Sequence, residues 1–332
     1  MPKHRSHSAL KPRPKQSVQP LRKQRPDHKR ALAYLFLLIN TITWGAALIV
    51  VKPALEHTSP FRYLLYRFTL AAILSLPIWW HYQKHPAIQK NLTKFVGEVG
   101  SIELLGTTLA LGLLYMGLRM TTAIEAGLIT TTTPIFIVLA GVFWLREQQK
   151  RAEWIGLTVA FLGTIIITLV PFIQNGSATA ELSVLGNLLI ILQNIATAAY
   201  FILAKRCYAQ YPKLLIASLS FLVGVVTFLG LSFFELGWSL QSFATAVASD
   251  WSEQSVWIAS GYMAVFGSII GLTAYIKGQD MIEASEASIF TYLQPLVYIP
   301  LGITLLGETF SFWQGGGLLL ILLGVWYAEV HG

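Results

Sequence analysis

From residue 31 to the C-terminus the chain is a succession of apolar stretches, most of them about twenty residues long, separated by short polar breaks. A helix needs about 20 predominantly apolar residues to cross the hydrocarbon core of a bilayer. Inside that core every backbone N–H and C=O must find its partner within the protein. A transmembrane barrel would show alternating segments of about ten residues instead. The pattern therefore restricts the chain to an all-α, polytopic membrane fold. The spans read as 31–52, 61–80, 98–119, 121–144, 153–172, 182–204, 214–235, 255–276, 284–306 and 311–329, ten in all.

Charge tests the count, because short cytoplasmic loops collect Lys and Arg. With the N-terminus inside, the cytoplasmic segments are the tail 1–30, 81–97, 145–152, 205–213 and 277–283. They hold 20 of the 24 Lys and Arg, while the outside loops 173–181, 236–254 and 307–310 hold none. A wrong count would scramble this alternation, so both termini are expected in the cytoplasm of a cell (inner or plasma) membrane. Ten of the basic residues and a single acid, Asp27, lie in residues 1–30. That Pro-, Lys- and Arg-rich tail reads as a disordered topology anchor beside anionic lipid. The net charge of +8 is mainly a property of this tail and points to the bilayer as partner, not to nucleic acid.

The sequence also repeats itself. Residues 106–163 laid on 267–324 without gaps give sixteen identities in 58 pairs, against roughly five expected from membrane composition alone. The matches include Gly117/Gly278, Glu125/Glu286, Thr130/Thr291, Pro134/Pro295, Glu147/Glu308, Gly156/Gly317 and Gly163/Gly324. A weaker match at a shift of 154 pairs Asn40 with Asn194 and Thr43 with Thr197. The expected organisation is the tail 1–30, a first five-span repeat 31–172 and a second five-span repeat 182–329. Five is odd, so the second copy enters the bilayer inverted, an arrangement typical of secondary transporters with a site between the halves.

Certain residues carry a family resemblance. They are Trp44-Gly45, Arg67, the stretch AIEAGLITTTTPIFIVLAGVFWLRE and its partner ASEASIFTYLQPLVYIPLGITLLGE, each followed by a glycine-bearing span. On these the chain resembles the drug/metabolite transporter superfamily, in particular its EamA-type members, over about residues 30–330. The resemblance implies a carrier of two times five spans around a central cavity, exporting amino acids, other metabolites or drugs.

Pro134 and Pro295 sit mid-span at equivalent positions, where a missing N–H kinks the helix and frees a carbonyl of the preceding turn. Thr130 and Thr133 share a face beside the first proline, Thr291 and Gln294 beside the second. Asn40 and Asn194, with Thr43 and Thr197, supply polar groups on spans 1 and 6, and Trp44 supplies a wall. Polar side chains at this depth face the protein interior or water, so the set is expected to line a substrate cavity. For each residue alone, interhelical hydrogen bonding is an equal alternative. Glu125 and Glu286 stand toward opposite mouths as gating or coupling carboxylates, or as acids favoured at helix N-termini. Arg67, about 10 Å inside its span by helix rise, must pair, snorkel or bind an anion.

Other chemistry has no foothold. Cys207 is the lone cysteine and the seven histidines lie outside the spans, so no disulfide, metal or cofactor is expected. No phosphate-binding loop, HExxH or GxSxG occurs. The expected function is not enzymatic: a secondary transporter moving a small metabolite by alternating access, with the bilayer, a small-molecule substrate and a second copy in a homodimer as partners. A channel or a membrane-embedded lipid-handling protein is the alternative.

Overall fold

A computed structural model of the chain describes residues 27–82, 84–146, 150–175, 178–282, 287 and 290–331. Among them every regular element is helical and none is a strand.

The described residues begin with α1 (Asp27–Gly45), continued by α2 (Ala47–Val51) and α3 (Ala54–His57). Pro53 has no N–H for the carbonyl of Ile49, which is where α2 gives way to α3. α4 (Pro60–Leu74) starts with proline at its first position and with the Arg62 N–H donating to Ser59 Oγ at 3.2 Å. α5 (Leu76–Tyr82) is bent 45° from it. Pro77 removes the N–H that would reach Ile73, and Ser75 Oγ turns back to the Ala72 carbonyl at 2.8 Å.

α6 (Pro86–Lys90) and α7 (Leu92–Glu103) lead through a π-helical turn, Leu104–Ala110, into α8 (Leu111–Met120). α9 (Ala123–Thr130) and α10 (Thr133–Leu145) are two pieces of one apolar segment. Then come α11 (Arg151–Asn175), α12 (Ala178–Gln210) and α13 (Lys213–Glu235). A short amphipathic helix, α14 (Leu240–Ser252), precedes α15 (Gln254–Tyr262), a second π-helical turn Met263–Gly271, and α16 (Leu272–Met281). α17 (Pro295–Leu305) and α18 (Phe312–His331) close the chain.

Among the described residues, seven helical units are long and apolar enough to cross a bilayer: 28–57, 92–120, 123–144, 151–171, 181–210, 213–235 and 254–281. The bent pair α4–α5 makes an eighth if taken as one span, and α17 and 312–328 are shorter apolar helices. Against the ten spans read from hydropathy, this is seven at full length, one broken and two short. The expected span 284–306 begins on residues outside the described set. Leu35, Leu38 and Ile42 on α1, like Leu185, Leu188 and Leu192 on α12, are exposed, as lipid-facing side chains are.

The packing pairs helices far apart in sequence. α8 lies on α12, where Gly117 meets the Gly186 carbonyl and Ile190, and α16 lies on α1, where its repeat mate Gly278 meets Leu37 and the Ala33 carbonyl. α11 and α18 cross backbone to backbone. Gly156 abuts the Gly324 carbonyl and Gly163 the Gly317 carbonyl, so the two helices run antiparallel. Such small-residue crossings bring helix axes close when lipid supplies no hydrophobic drive.

Candidate functional site

Between α4, α7, α10, α12, α13 and α16 lies a cavity of about 660 Å³. Its walls are mostly apolar and aromatic, with Phe68, Phe201, Phe221 and Tyr275 among them. Lys205 and Lys213, at the adjoining ends of α12 and α13, mark one mouth. Lys213 is held by Asp280, Nζ to Oδ1 2.5 Å.

Two buried charges line the same cavity. Arg67 projects from the middle of α4 and is only 9% exposed. One Nη donates to Tyr115 Oη at 2.9 Å, and the guanidinium lies 5.1 Å from the Phe68 ring centre and 5.9 Å from that of Tyr115, within range of cation–π attraction. Its Nε has no partner among the described residues, and no described carboxylate pairs with it. Glu103 closes α7, where the helix loosens into its π turn, and is 2% exposed. Thr107 Oγ1 donates to one carboxylate oxygen at 2.6 Å and Tyr200 Oη to the other at 2.8 Å. Tyr200 Oη lies 2.9 Å from Tyr208 Oη.

The opposite end of the bundle is sealed by polar clusters. Lys52 Nζ donates to the carbonyls of Leu118, Arg119 and Thr121 at the end of α8 (2.8, 3.2 and 2.6 Å). Glu308 accepts the N–H groups of Ala123 and Ile124 at the start of α9 (2.6 and 2.8 Å). Each charge thus satisfies orphan backbone groups and complements a helix dipole. Burial pushes the Glu308 carboxyl above the usual carboxylate range, although the two N–H groups and Lys52 favour its charge. Glu125 is buried beside them, accepting from Thr121 (2.7 Å), Asn187 (3.0 Å) and Gln314 (3.3 Å). A third cluster centres on Asp250 of α14, 2% exposed. Its Oδ2 accepts from Arg62 Nε (2.6 Å), Thr58 Oγ1 (2.7 Å) and Tyr66 Oη (2.7 Å).

The proline breaks lie between the two ends. Pro134 cannot serve the Thr130 carbonyl, and Thr133 Oγ1 takes it at 2.6 Å. Asn194 of α12 bridges the gap, its Nδ2 donating to the Ile129 carbonyl (2.9 Å) and its Oδ1 accepting from Thr133 (2.6 Å). At the equivalent break before Pro295, Thr41 of α1 donates to the Phe290 carbonyl at 2.9 Å.

The sequence-expected residues therefore fall into separate groups. Trp44 and Arg67 line the cavity, and Trp44 Nε1 also donates to Gly267 O at 3.0 Å. Asn40 donates to the Gly271 carbonyl (3.2 Å), so the second π turn is gripped twice from α1. Thr130 bonds its own helix, and Thr197 accepts from Gln193 at 2.7 Å. Thr291 and Gln294 are half-buried in the turn before Pro295. Glu125 sits in the sealed end, and Glu286 lies outside the described residues, as does most of the tail 1–30. Sequence reasoning missed Glu103. A carboxylate five residues inside a span-length apolar run, four residues before Thr107, was its available signal. Among the described residues no three His, Cys, Asp or Glu side chains gather as a metal would require.

Comparison with known proteins adds the relatives. The family model described as EamA-like transporter family matches residues 31–169 and again 184–328. An uncharacterized transporter, YetK, of Bacillus subtilis (strain 168) is 28% identical over 304 residues, covering 91% of this chain and 88% of that protein. An uncharacterized transporter of Archaeoglobus fulgidus is 21% identical over 88% of this chain and 96% of its own. The uncharacterized inner membrane transporter YedA of Escherichia coli (strain K12) is 26% identical over 81% of each. A solved crystal structure with 16% identity superposes over 92% of this chain and 96% of that one with a TM-score of 0.56, a likeness of fold.

Proposed function

The chain belongs to the EamA-like transporter family and is a multi-pass membrane transporter; from that premise we propose that it is a secondary carrier moving a small metabolite, such as an amino acid or a drug, by alternating access. Ten spans form two inverted five-span repeats, 31–172 and 182–329, in a cell membrane with both termini in the cytoplasm. Three features support that architecture. The two π-helical turns, 104–110 and 263–271, overlap at the repeat shift of 161. The helices after them, 111–120 and 272–281, correspond residue for residue. Gly156 faces Gly324 while Gly163 faces Gly317, which is the reciprocal contact a two-fold relation between repeat mates requires.

The observation that carries the reading is the polarity of the bundle: a cavity toward Lys205 and Lys213, and closed polar clusters at the other end. On the orientation set by basic residues, this is an inward-open carrier with its outer gate shut. Exchange of roles between the repeats gives the outward-open state. Glu125 is a gate residue whose hydrogen bonds break on opening. Arg67 is the anchor for a carboxylate or other acceptor on the solute, and Trp44 with Tyr275, ring centres 5.3 Å apart, forms a wall. The broken helices at Pro134 and Pro295 are the hinges. A sealed end speaks against an open channel.

The test is counterflow in proteoliposomes loaded with a candidate solute. Labelled solute should enter faster when unlabelled solute waits inside. Flux that is unsaturable, or indifferent to internal solute, would dismiss the carrier.

A further inference from the structure

Glu103 has three properties that do not belong together in a purely structural residue. It is buried at the depth of a membrane span, it is partnered only by hydroxyls, and it lines the cavity. No Lys, Arg or His pairs with it among the described residues; Lys213 across the same cavity is held by Asp280. A carboxylate removed from water without a cation is costly, and membrane proteins keep such groups for a ligand. Thr107 and Tyr200 take one acceptor site on each oxygen and the Ser220 hydroxyl stands within reach of a third, so the carboxylate keeps at least one free.

The internal repeat separates structure from function here. The residue at the repeat shift of 161 from Glu103 is Ala264, in the matching π turn, where it is fully buried. The same local fold forms with a methyl group in place of a carboxylate. The π turn itself is a local deformation that recurs at functional sites. Next to it, Gly106 packs flat against the ring of Tyr200, and a Cβ there would collide with it. A glycine thus makes the space in which the Tyr200 hydroxyl reaches Glu103.

We propose that Glu103 is the seat for a protonated amine on the solute. The ammonium N–H groups would take the remaining acceptor capacity of the carboxylate, with the hydroxyl pair Tyr200–Tyr208 holding it in place and the aromatic wall receiving the body. Arg67 on the same cavity then meets an acceptor elsewhere on the solute. This assignment rests on the carrier reading only in naming the amine part of a transported solute; binding itself is measurable without transport.

The experiment is equilibrium binding to the purified full chain in detergent, read by ligand-induced thermal stabilisation and isothermal titration. The probes share one phenyl body: phenethylamine, 3-phenylpropionate and L-phenylalanine. The amine-bearing probes should bind, with 3-phenylpropionate about tenfold weaker or worse. Glu103→Gln should weaken both amines by about tenfold or more, the usual scale for losing a hydrogen bond to a charged group. Glu103→Asp should keep the preference for amine over acid. The proposal falls if neither amine binds at millimolar concentration. It falls equally if the acid binds as tightly as the amine, or if Glu103→Gln binds phenethylamine unchanged. Should Glu103→Gln not fold, the probe series on the native chain and on Glu103→Asp still decides. Binding without counterflow would defeat the carrier and leave the amine seat standing.

Discussion

Asp250→Asn probes the sealed end most directly. Three donors converge on one oxygen of Asp250, at 2.6, 2.7 and 2.7 Å, from Arg62, Thr58 and Tyr66. A hydrogen bond to a charged group contributes about 1.5–3 kcal/mol and a neutral one about 0.5–1.5. Neutralising the acceptor while keeping its shape should therefore cost about 1 kcal/mol per bond, or about 3 kcal/mol in all. Arg62 would keep only Glu235, at 3.5 Å. Removing one partner of a buried pair is costly because the other charge is stranded, whereas removing both is much less so. The double variant Arg62→Met/Asp250→Asn should accordingly cost less than the two single changes summed, with a coupling of about 1 kcal/mol or more from the contact the two residues share. Denaturant titration of the purified protein in detergent measures all four stabilities. A cysteine placed beside the cluster reports whether that end of the bundle becomes more reactive to a membrane-impermeant thiol reagent. Strictly additive losses, or an Asp250→Asn loss within error of zero, would refute the idea that the cluster acts as one unit holding α14 against α4.

Two more outcomes follow from other contacts. Gly156→Leu drives a side chain into the Gly324 backbone and should destabilise by about 3 kcal/mol or more, the upper range for overpacking; Gly324→Leu should match it, and the pair should cost less than the sum, all read by the same titration. Glu308 has its carboxyl raised by burial, so its folded form holds the proton to higher pH than its unfolded form. Its contribution is full below about pH 4 and is lost as pH rises through the raised value; native protein should lose stability relative to Glu308→Gln over that rise, and a parallel pH profile would remove the burial argument.

The helical class and most span positions were legible because hydropathy is a property of each segment alone. The α4–α5 bend is local too, yet hydropathy runs straight through Pro77 across 61–80. Pro134 was read as a break that frees a carbonyl, and the Thr133 hydroxyl that fills the vacancy is its immediate neighbour. What closes the end of the bundle at Asp250 and Glu308 was not legible. Arg62 and Asp250 are 188 residues apart, and α14 lies in the loop 236–254, marked in the sequence only by its lack of Lys and Arg. Glu103 escaped notice because its meaning depends on Tyr200, 97 residues away. Single residues that bind through the fold, and not through their own segment, leave little periodic signal.

The Glu308 cap has a consequence for biosynthesis. Ala123 emerges from the ribosome 185 residues before the carboxylate that caps it. Until then the Ala123 and Ile124 N–H groups lack that carboxylate, with only the Glu125 N–H capped by Thr122, while α8 already has Lys52. An amino-terminal half made alone would keep that defect permanently. The gene's two similar halves therefore do not encode two autonomous proteins. Expressed as separate fragments, they should accumulate only when made together in the same cell.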